Sequence, residues 1–172
     1  MSMTISSTDH TRGDAGARIT LIEYADFECP YCARAHQSLS ALLPKYGKDV
    51  RLVYRHMPLN DMHPDAQTAA EAAEAAGADG KFWEMHDALF EGQGDLSDEA
   101  IIAMATQISF DVDKLQDAID GGTYTDRVDR DAAMGRQAGA HRTPTFFING
   151  VQFDGDSDEQ SLARALRDAL HG

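Results

Sequence analysis

The chain has 172 residues, of which 42% are hydrophobic and 26% charged; this composition excludes a disordered chain and fits one globular domain, with or without a large insertion. Its formal net charge of −14 disfavours nucleic acid and anionic membranes as partners, since both bind basic surfaces. The only two cysteines, Cys29 and Cys32, exclude a disulfide-rich scaffold and a four-thiolate metal site built from this chain alone. Any thiol chemistry is therefore predicted to belong to this CxxC pair.

Residues 1–17 predict a flexible leader, because they are polar and lack the apolar run of a signal peptide. No stretch approaches the length of a membrane span, so we expect no membrane insertion. The expected compartment is the cytoplasm, or an extracytoplasmic one if the sequence has lost a leader. In a reducing compartment an isolated CxxC is more often catalytic or metal-binding than structural.

The first elements in chain order are a strand, a helix and a second strand. Residues 18–24 form a short run rich in β-branched residues, which predicts a buried strand. A helix is predicted from Pro30 to about Tyr46, and proline suits its first turn, where no backbone N–H is needed. Residues 50–56 predict the second strand, which we expect to pair in parallel with the first.

The middle of the chain predicts only helices, and strands return near its end. The helical segments are expected at about 65–76, 81–91, 98–108, 111–120 and 124–138. Asn149-Gly150 separates two short apolar runs and so predicts a hairpin, followed by a helix over 158–170. We therefore predict an α/β fold in which residues 18–60 and 139–172 form one domain. Residues 61–138 form an inserted all-helical subdomain.

The CxxC pair, Cys29-Pro30-Tyr31-Cys32, lies between a predicted strand end and a predicted helix start. Free N–H groups and the dipole of the first helical turn favour an anion there, so the pKa of the Cys29 thiol should be lowered. Cys29 is then expected to attack a disulfide, and the shielded Cys32 to resolve the product. Asp26 and Glu28 flank the nucleophile and are expected to raise its pKa in part.

Two other roles for the cysteines, metal binding and a structural disulfide, have less support from the sequence. A metal site would combine Cys29, Cys32 and His36 with one further histidine, and the candidates are His56, His63 and His141. No second close pair of ligands exists, so we expect no metal. A structural disulfide across two residues closes almost no loop and would stabilise the fold little.

Thr143-Pro144 precedes the strand of the predicted hairpin. Proline cannot donate to a sheet ladder, so its place at the head of a strand marks a turn or an edge. We predict a cis bond here, which would let the backbone of Thr143 face an extended peptide. A trans proline that opens an edge strand is the alternative.

The segments IleGluTyrAlaAspPheGluCysProTyrCys (22–32) and ThrProThrPhePheIleAsnGly (143–150) resemble the DsbA-like branch of the thioredoxin superfamily. About 115 residues separate Cys29 from Pro144, and this branch fills that interval with helices. The resemblance covers residues 18–170 or so. It implies a thioredoxin-like fold with a helical insertion, and thiol–disulfide exchange without a metal or organic cofactor.

The resemblance also implies roles for single residues. Cys29 matches the nucleophile, Cys32 the resolving thiol and Pro144 the cis-proline, with Thr143 before it. Glu23 lies on the first strand, where the family has an acid beneath the active site.

The carboxyl group of Glu23, if partly buried, would have a raised pKa and could exchange a proton with Cys32. The alternative is an acid at a strand end that points to solvent. Pro30 and Tyr31, between the cysteines, are expected to contact the substrate together with Thr143 and Pro144.

Tyr31 departs from the pattern of the strongly oxidising members, which have histidine at this position. A neutral tyrosine stabilises the Cys29 thiolate less, so we expect a potential in the middle or below on a scale of about −270 to −120 mV. The Pro-Tyr dipeptide between the two cysteines also resembles the corresponding motif of the glutaredoxins.

The predicted function is thiol–disulfide oxidoreductase. Its expected partners are protein or peptide thiols and disulfides, together with a thiol pool or another redox protein. One alternative is a non-catalytic module that binds peptides or senses redox state, since related domains occur fused to membrane transporters. The other alternative is a glutathione-linked oxidoreductase.

Overall fold

The computed structural model describes residues 3–172, which form a five-stranded sheet and seven helices. The strands are β1 (His10–Arg12), β2 (Ile19–Ala25), β3 (Val50–His56), β4 (Thr145–Ile148) and β5 (Val151–Phe153). The helices are α1 (Pro30–Tyr46), α2 (Ala66–Ala78), α3 (Phe82–Glu91), α4 (Asp98–Gln107), α5 (Val112–Asp120), α6 (Thr125–Ala138) and α7 (Glu159–His171). The predicted α/β class is confirmed.

The sheet has the strand order β1-β3-β2-β4-β5. Strands β2 and β3 run parallel, with Leu21 opposite Leu52, and the other neighbours are antiparallel. Because β2 and β3 are covered on both faces, nearly all their residues are buried, which accounts for their almost continuous apolar sequences. Helix α1 is the crossover between them, as the sequence predicts.

The hairpin between β4 and β5 turns at Asn149 and Gly150, whose φ angles are 49° and 84°. Two successive positive φ angles define the turn that matches the twist of paired strands, and asparagine and glycine adopt them most readily. The amide oxygen of Asn149 also accepts a hydrogen bond of 2.8 Å from the backbone N–H of Thr20. The turn is thereby attached to β2.

Side chains cap several helix starts. The side chain of Ser97 accepts a hydrogen bond from the N–H of Ala100 at the start of α4, and Asp111 and Asp158 cap α5 and α7 in the same way. Helix α6 ends at Gly139, which has a φ of 100° that a residue with a side chain rarely adopts. These local signals explain why the helix boundaries could be predicted to within one or two residues.

The N-terminal segment differs from the flexible leader expected over residues 1–17. His10–Arg12 form β1, which pairs with β3, and the buried carboxylate of Asp9 accepts hydrogen bonds of 2.9 Å from Arg55. The expectation was wrong because a three-residue strand has no periodicity, and its partners lie far along the chain. Residues 1 and 2 of the expected leader lie outside the described residues.

Three apolar clusters hold the layers together. Helices α1 and α7 pack on one face of the sheet, and α6 lies over the other. The third cluster joins α2, α3, α4 and α5 to the end of the sheet, and it includes Cys29, Cys32 and Phe27. The helical segment between β3 and β4 therefore shares its core with the CxxC. None of the helices in the described part is both long and apolar enough to cross a membrane.

Candidate active site at Cys29 and Cys32

The two cysteines lie where the chain passes from β2 into α1. Cys29 is the residue before the helix, with extended φ and ψ of −74° and 121°, and Pro30 is the first helical residue. The carbonyl of Cys29 accepts hydrogen bonds of 3.1 Å from the N–H groups of Cys32 and Ala33. Cys29 is 4% exposed and Cys32 is fully buried, so the two thiols have unequal access to a substrate.

The thiols also differ in acidity. The hydrogen bond from Cys32 lowers the pKa of Cys29 to about 6; burial opposes this shift, and Thr143 and backbone N–H groups add to it. Burial raises the pKa of Cys32 well above its usual value, and the hydrogen bond that it donates to Cys29 adds to that effect. At neutral pH, Cys29 is therefore mainly a thiolate and Cys32 a thiol. The lowered pKa of Cys29 has the direction expected at a helix start, but its largest cause is the hydrogen bond from Cys32, and the backbone N–H groups contribute less.

The loop before β4 faces Cys29. The peptide bond between Thr143 and Pro144 is cis, and Cys29 Sγ lies 3.6 Å from the carbonyl oxygen of Thr143. A groove of about 240 Å³ adjoins this contact, and Tyr31, Pro144 and Phe153 are among its lining residues. Tyr31 is 61% exposed, which leaves an aromatic surface open to a partner. The predicted residues Tyr31, Thr143 and Pro144 thus meet at one groove, whereas Pro30 does not line it.

Glu23 is buried on β2, with 2% of its surface exposed. Its Oε1 has no hydrogen-bond partner among residues 3–172, and burial raises the pKa of its carboxyl group to about 8. Its charge is one of the causes that raise the pKa of Cys32, so the two groups interact. The side chain does not point to solvent, which rules out that alternative.

Asp26 stabilises the loop after β3 beside the CxxC, a role that the sequence did not indicate. Its buried carboxylate accepts hydrogen bonds from the N–H groups of Glu28 and Leu59 and pairs with His63 Nδ1 at 2.8 Å. His63, which Pro64 follows, thus helps to hold the loop after β3 against the CxxC. The pKa of Cys29 is lowered despite the flanking carboxylates, because the hydrogen bond from Cys32 outweighs the effects that raise it.

Gln93 is a further residue that sequence reasoning missed. Its amide Nε2 donates hydrogen bonds of 2.8 Å to the carbonyl oxygens of Phe27 and Cys29. It lies after α3, in the helical segment, and braces the turn that leads into α1. No local pattern marks a glutamine for this role, since its partners are backbone atoms far away in sequence.

The residues described by the structure include two sets that could hold a metal ion. They are His10, His56 and Glu74, and His36, His86 and Asp87. Neither set contains a cysteine, so the structure does not bring Cys29 and Cys32 together with His36 and a further histidine as a metal site. Arg127 already pairs with Glu74, at 3.1 Å between Nε and Oε1, which disfavours a cation in the first set.

Comparisons with known proteins agree with this geometry. The family model described as Thioredoxin matches residues 5–168. A thioredoxin-like oxidoreductase from Silicibacter pomeroyi DSS-3 has 26% identical residues and a TM-score of 0.85, over 97% of this chain and 95% of that one. BdbD from Bacillus subtilis has 22% identity and a TM-score of 0.82, over 94% of this chain and 92% of its own.

Among curated proteins, the Na(+)/H(+) antiporter NhaA 1 of Salinispora arenicola is 40% identical over 164 residues. The match covers 95% of this chain but 25% of the antiporter, so the chain spans about a quarter of the length of the curated relatives it matches. The family match over nearly the whole chain, together with the fold, decides the assignment. The chain belongs to the thioredoxin family and has the fold of its DsbA-like members.

Proposed function

We propose that the chain is a thiol–disulfide oxidoreductase, which exchanges disulfides with protein, peptide or small thiols through Cys29 and Cys32. The observation that carries the proposal is the acidic thiol of Cys29 beside the carbonyl of Thr143, with a buried partner thiol behind it. A solved structure described as a thiol–disulfide exchange protein, from Wolbachia pipientis, supports it through its fold. The exchange needs no cofactor, because both electrons are carried by the two sulfur atoms.

We propose the following order of steps. The Cys29 thiolate attacks a substrate disulfide, forms a mixed disulfide and releases one substrate thiolate. Cys32 then gives its proton to the Glu23 carboxylate, and its sulfur attacks Cys29 Sγ, so that the second substrate thiolate leaves. The products are a Cys29–Cys32 disulfide and a reduced substrate. The same steps in reverse oxidise a substrate dithiol.

The groove beside Pro144 supports a peptide as substrate. The backbone of Thr143 borders both Cys29 and the groove, where an extended chain could lie antiparallel to it. Tyr31 and Pro144 both line this groove and offer it apolar surface. We propose that Tyr31, Thr143 and Pro144 contact the substrate. We propose the same for Pro30, at the turn that it forms.

The acidity of Cys29 supports a potential in the middle of the known range. Its pKa of about 6 lies between values of about 3.5 and about 7 that accompany strongly oxidising and strongly reducing pairs. A more stable thiolate favours the reduced pair and so makes a stronger oxidant. Equilibration in glutathione buffers, followed by thiol trapping and mass measurement, would give the value.

The decisive experiment compares two variants in an insulin-reduction assay. Cys29→Ser should abolish activity, because the attacking thiolate is lost. Cys32→Ser should accumulate a mixed disulfide with the substrate, because the first step remains and the second cannot occur. Activity retained by Cys29→Ser, with the wild-type fold, would contradict the proposal.

A second candidate function is supported by the antiporter relatives. In those proteins a stretch of about this length is one quarter of the chain, which fits a module that senses redox state or binds a peptide. Such a module would form the Cys29–Cys32 disulfide but would not turn over. A glutathione-linked enzyme would instead show a stable Cys29–glutathione adduct with rapid turnover. Steady-state assays with insulin and with glutathione distinguish the three.

We propose the cytoplasm as the compartment in which this pair acts. The potential and the compartment are linked, because a reducing thiol pool would keep a mid-range pair reduced. Fractionation of source cells, with detection of the chain by antibody, tests the location.

A further inference from the structure

The groove beside Pro144 has two walls of opposite charge. One wall is the loop before β4, which includes Arg142, and the other is the loop between β5 and α7, which includes Asp156. Because β4 and β5 are antiparallel, with Phe146 opposite Phe153, the two loops lie at the same end of this strand pair. The groove of about 240 Å³ lies between them.

Local contacts hold the backbone of both walls. The hydroxyl of Thr145 donates a hydrogen bond of 2.6 Å to the carbonyl oxygen of Arg142. In the other wall, Gly155 packs against the Phe153 ring so closely that a Cβ atom on Gly155 would lie 2.6 Å from Cε2 of that ring. The backbones that carry Arg142 and Asp156 are therefore fixed relative to the groove.

Neither of the two charges is neutralised within the chain. Arg142 and Asp156 are exposed, and neither has an oppositely charged partner within 4.0 Å among residues 3–172. Asp158 in the same loop differs, because its carboxylate accepts hydrogen bonds from the backbone and hydroxyl of Ser161 at the start of α7. The charges of Arg142 and Asp156 are therefore available to a ligand.

The remainder of the groove makes these two charges the ones that a ligand meets. Among the described residues that line it, Arg142 is the single basic residue and Asp156 the single acidic one. Tyr31 and Phe153 give the groove apolar surface, beside which a charge is screened less than in open water. Arg34 lies over the Tyr31 ring, 5.7 Å from its centre, and does not line the groove.

We propose that Arg142 and Asp156 select peptide substrates by charge. Arg142 attracts an acidic side chain near the reacting cysteine of the peptide, and Asp156 attracts a basic one. The inference rests on the proposed function, in which the peptide lies in this groove while Cys29 attacks its disulfide. The preferred substrate is a peptide with both an acidic and a basic residue near its cysteine, because it satisfies both charges. Arg142 and Asp156 act on the binding of the peptide, while the disulfide exchange itself belongs to Cys29 and Cys32.

The two charges make opposite predictions for acidic and basic peptides. Charges at the rim of a binding site act mainly on the rate of association, and salt weakens their effect. Loss of the Arg142 charge should slow acidic peptides and accelerate basic ones, since Asp156 then acts unopposed. Loss of the Asp156 charge should do the reverse. A change in the shape of the groove would instead affect all peptides in the same direction.

The experiment uses the reduced protein and three peptides, each joined through its cysteine to a coloured aromatic thiol by a disulfide. The peptides differ only in the two residues beside the cysteine, which are both glutamate, both lysine or both glutamine. Attack of Cys29 on the peptide sulfur releases the aromatic thiolate, whose absorbance gives the second-order rate constant. The readout is the rate constant of the glutamate peptide divided by that of the lysine peptide, at low ionic strength.

Arg142→Gln should lower this ratio at least about threefold, and Asp156→Asn should raise it by a similar factor. Arg142→Lys keeps the charge and should stay closer to wild type than Arg142→Gln does. Arg167→Gln and Asp168→Asn are the matched controls, since each removes an exposed charge of α7 that does not line the groove. Both controls should leave the ratio unchanged. In about 1 M salt the differences between the variants should disappear.

The substituted side chains are exposed, so all the variants should fold, which circular dichroism verifies. Three results would overturn the proposal: an unchanged ratio in either Arg142→Gln or Asp156→Asn, an equal change of the ratio in the matched controls, or an equal loss of rate with all three peptides. A wild type that does not react with the glutamine peptide would contradict the proposed function instead, because that peptide offers no charge to select.

Discussion

At the scale of single residues, the two thiols of the CxxC pair differ in pKa. The pKa of Cys29 is lowered by a hydrogen bond, and the pKa of Cys32 is raised by burial. Cys32 donates to Cys29, which stabilises the Cys29 thiolate, while burial keeps the proton on Cys32. Glu23 completes the arrangement as a buried acid with a raised pKa. Each of these features gives a measurable pH dependence.

Replacing Cys32 with alanine should raise the pKa of Cys29 from about 6 towards its ordinary value of 9. The largest cause that lowers this pKa is the hydrogen bond from Cys32, and alanine removes the donor. Thiolate absorbance near 240 nm against pH measures the change, and Cys29→Ser identifies the signal. An unchanged midpoint would show that the helix N-terminus alone sets the acidity.

Replacing Glu23 with glutamine should stabilise the reduced protein increasingly as the pH rises from 5 to 8. The pKa of Glu23 is raised from 4.5 to about 8, so between these values the unfolded chain loses a proton that the folded chain keeps. The carboxyl group therefore costs stability as the pH rises, by roughly 3 to 5 kcal/mol near pH 8. Urea denaturation at several pH values measures the difference. A difference that does not change with pH would contradict the prediction.

At the scale of elements, α6 approaches β2 so closely that only glycine fits at the contact. A Cβ atom at Gly135 would lie 2.8 Å from Cδ1 of the Tyr24 ring and 3.4 Å from Met57 Sδ. Glycine in a helix interior is otherwise unfavourable, so its presence here reflects the packing of the helix on the sheet.

We expect Gly135→Ala to destabilise the protein by about 1 to 3 kcal/mol, although alanine is the better helix former. The methyl group would force α6 away from Tyr24, and thermal or urea denaturation measures the loss. Gly94→Ala is the control, because a Cβ there meets nothing within 4 Å and its φ is not positive. Equal stability of Gly135→Ala and wild type would show that α6 shifts without cost.

At the scale of the whole molecule, a buried charge network joins parts of the chain that are far apart in sequence. Glu74 of α2 contacts His10 of β1, His56 of β3 and Arg127 of α6. Against the effect of burial, His10 and His56 hold the pKa of Glu74 well below its usual value. The network attaches the N-terminal strand and the helical segment to the sheet.

Glu74→Gln should therefore destabilise the protein by roughly 3 kcal/mol, because it leaves buried partners without their charge. Denaturation at pH 7 measures the loss. Lys45→Gln removes an exposed pair with Glu159 and should cost less than about 1 kcal/mol. Similar losses in the two variants would mean that the network contributes no more than a surface pair.

Much of the fold and part of the site follow from the sequence alone, because their signals are local. The apolar runs of β2 and β3, the capping residues Ser97 and Asp158, and Asn149-Gly150 each act within a few residues. The CxxC between a strand and a helix is also a local signal, and it predicts the unequal thiols. The place of Pro144 at the head of a strand is a further local signal, whereas the role of Glu23 came only from the resemblance, because its neighbours are distant.

The tertiary structure alone decided the features that depend on distant partners. Strand β1 exists because β3 offers it an edge, so the segment expected to be flexible is ordered at His10–Arg12. The contact of His63 with Asp26 and that of Gln93 with Cys29 join segments that no short pattern connects. The burial of Glu23, and the lack of a partner for its Oε1 among residues 3–172, are properties of packing, because they arise only when the helices meet the sheet.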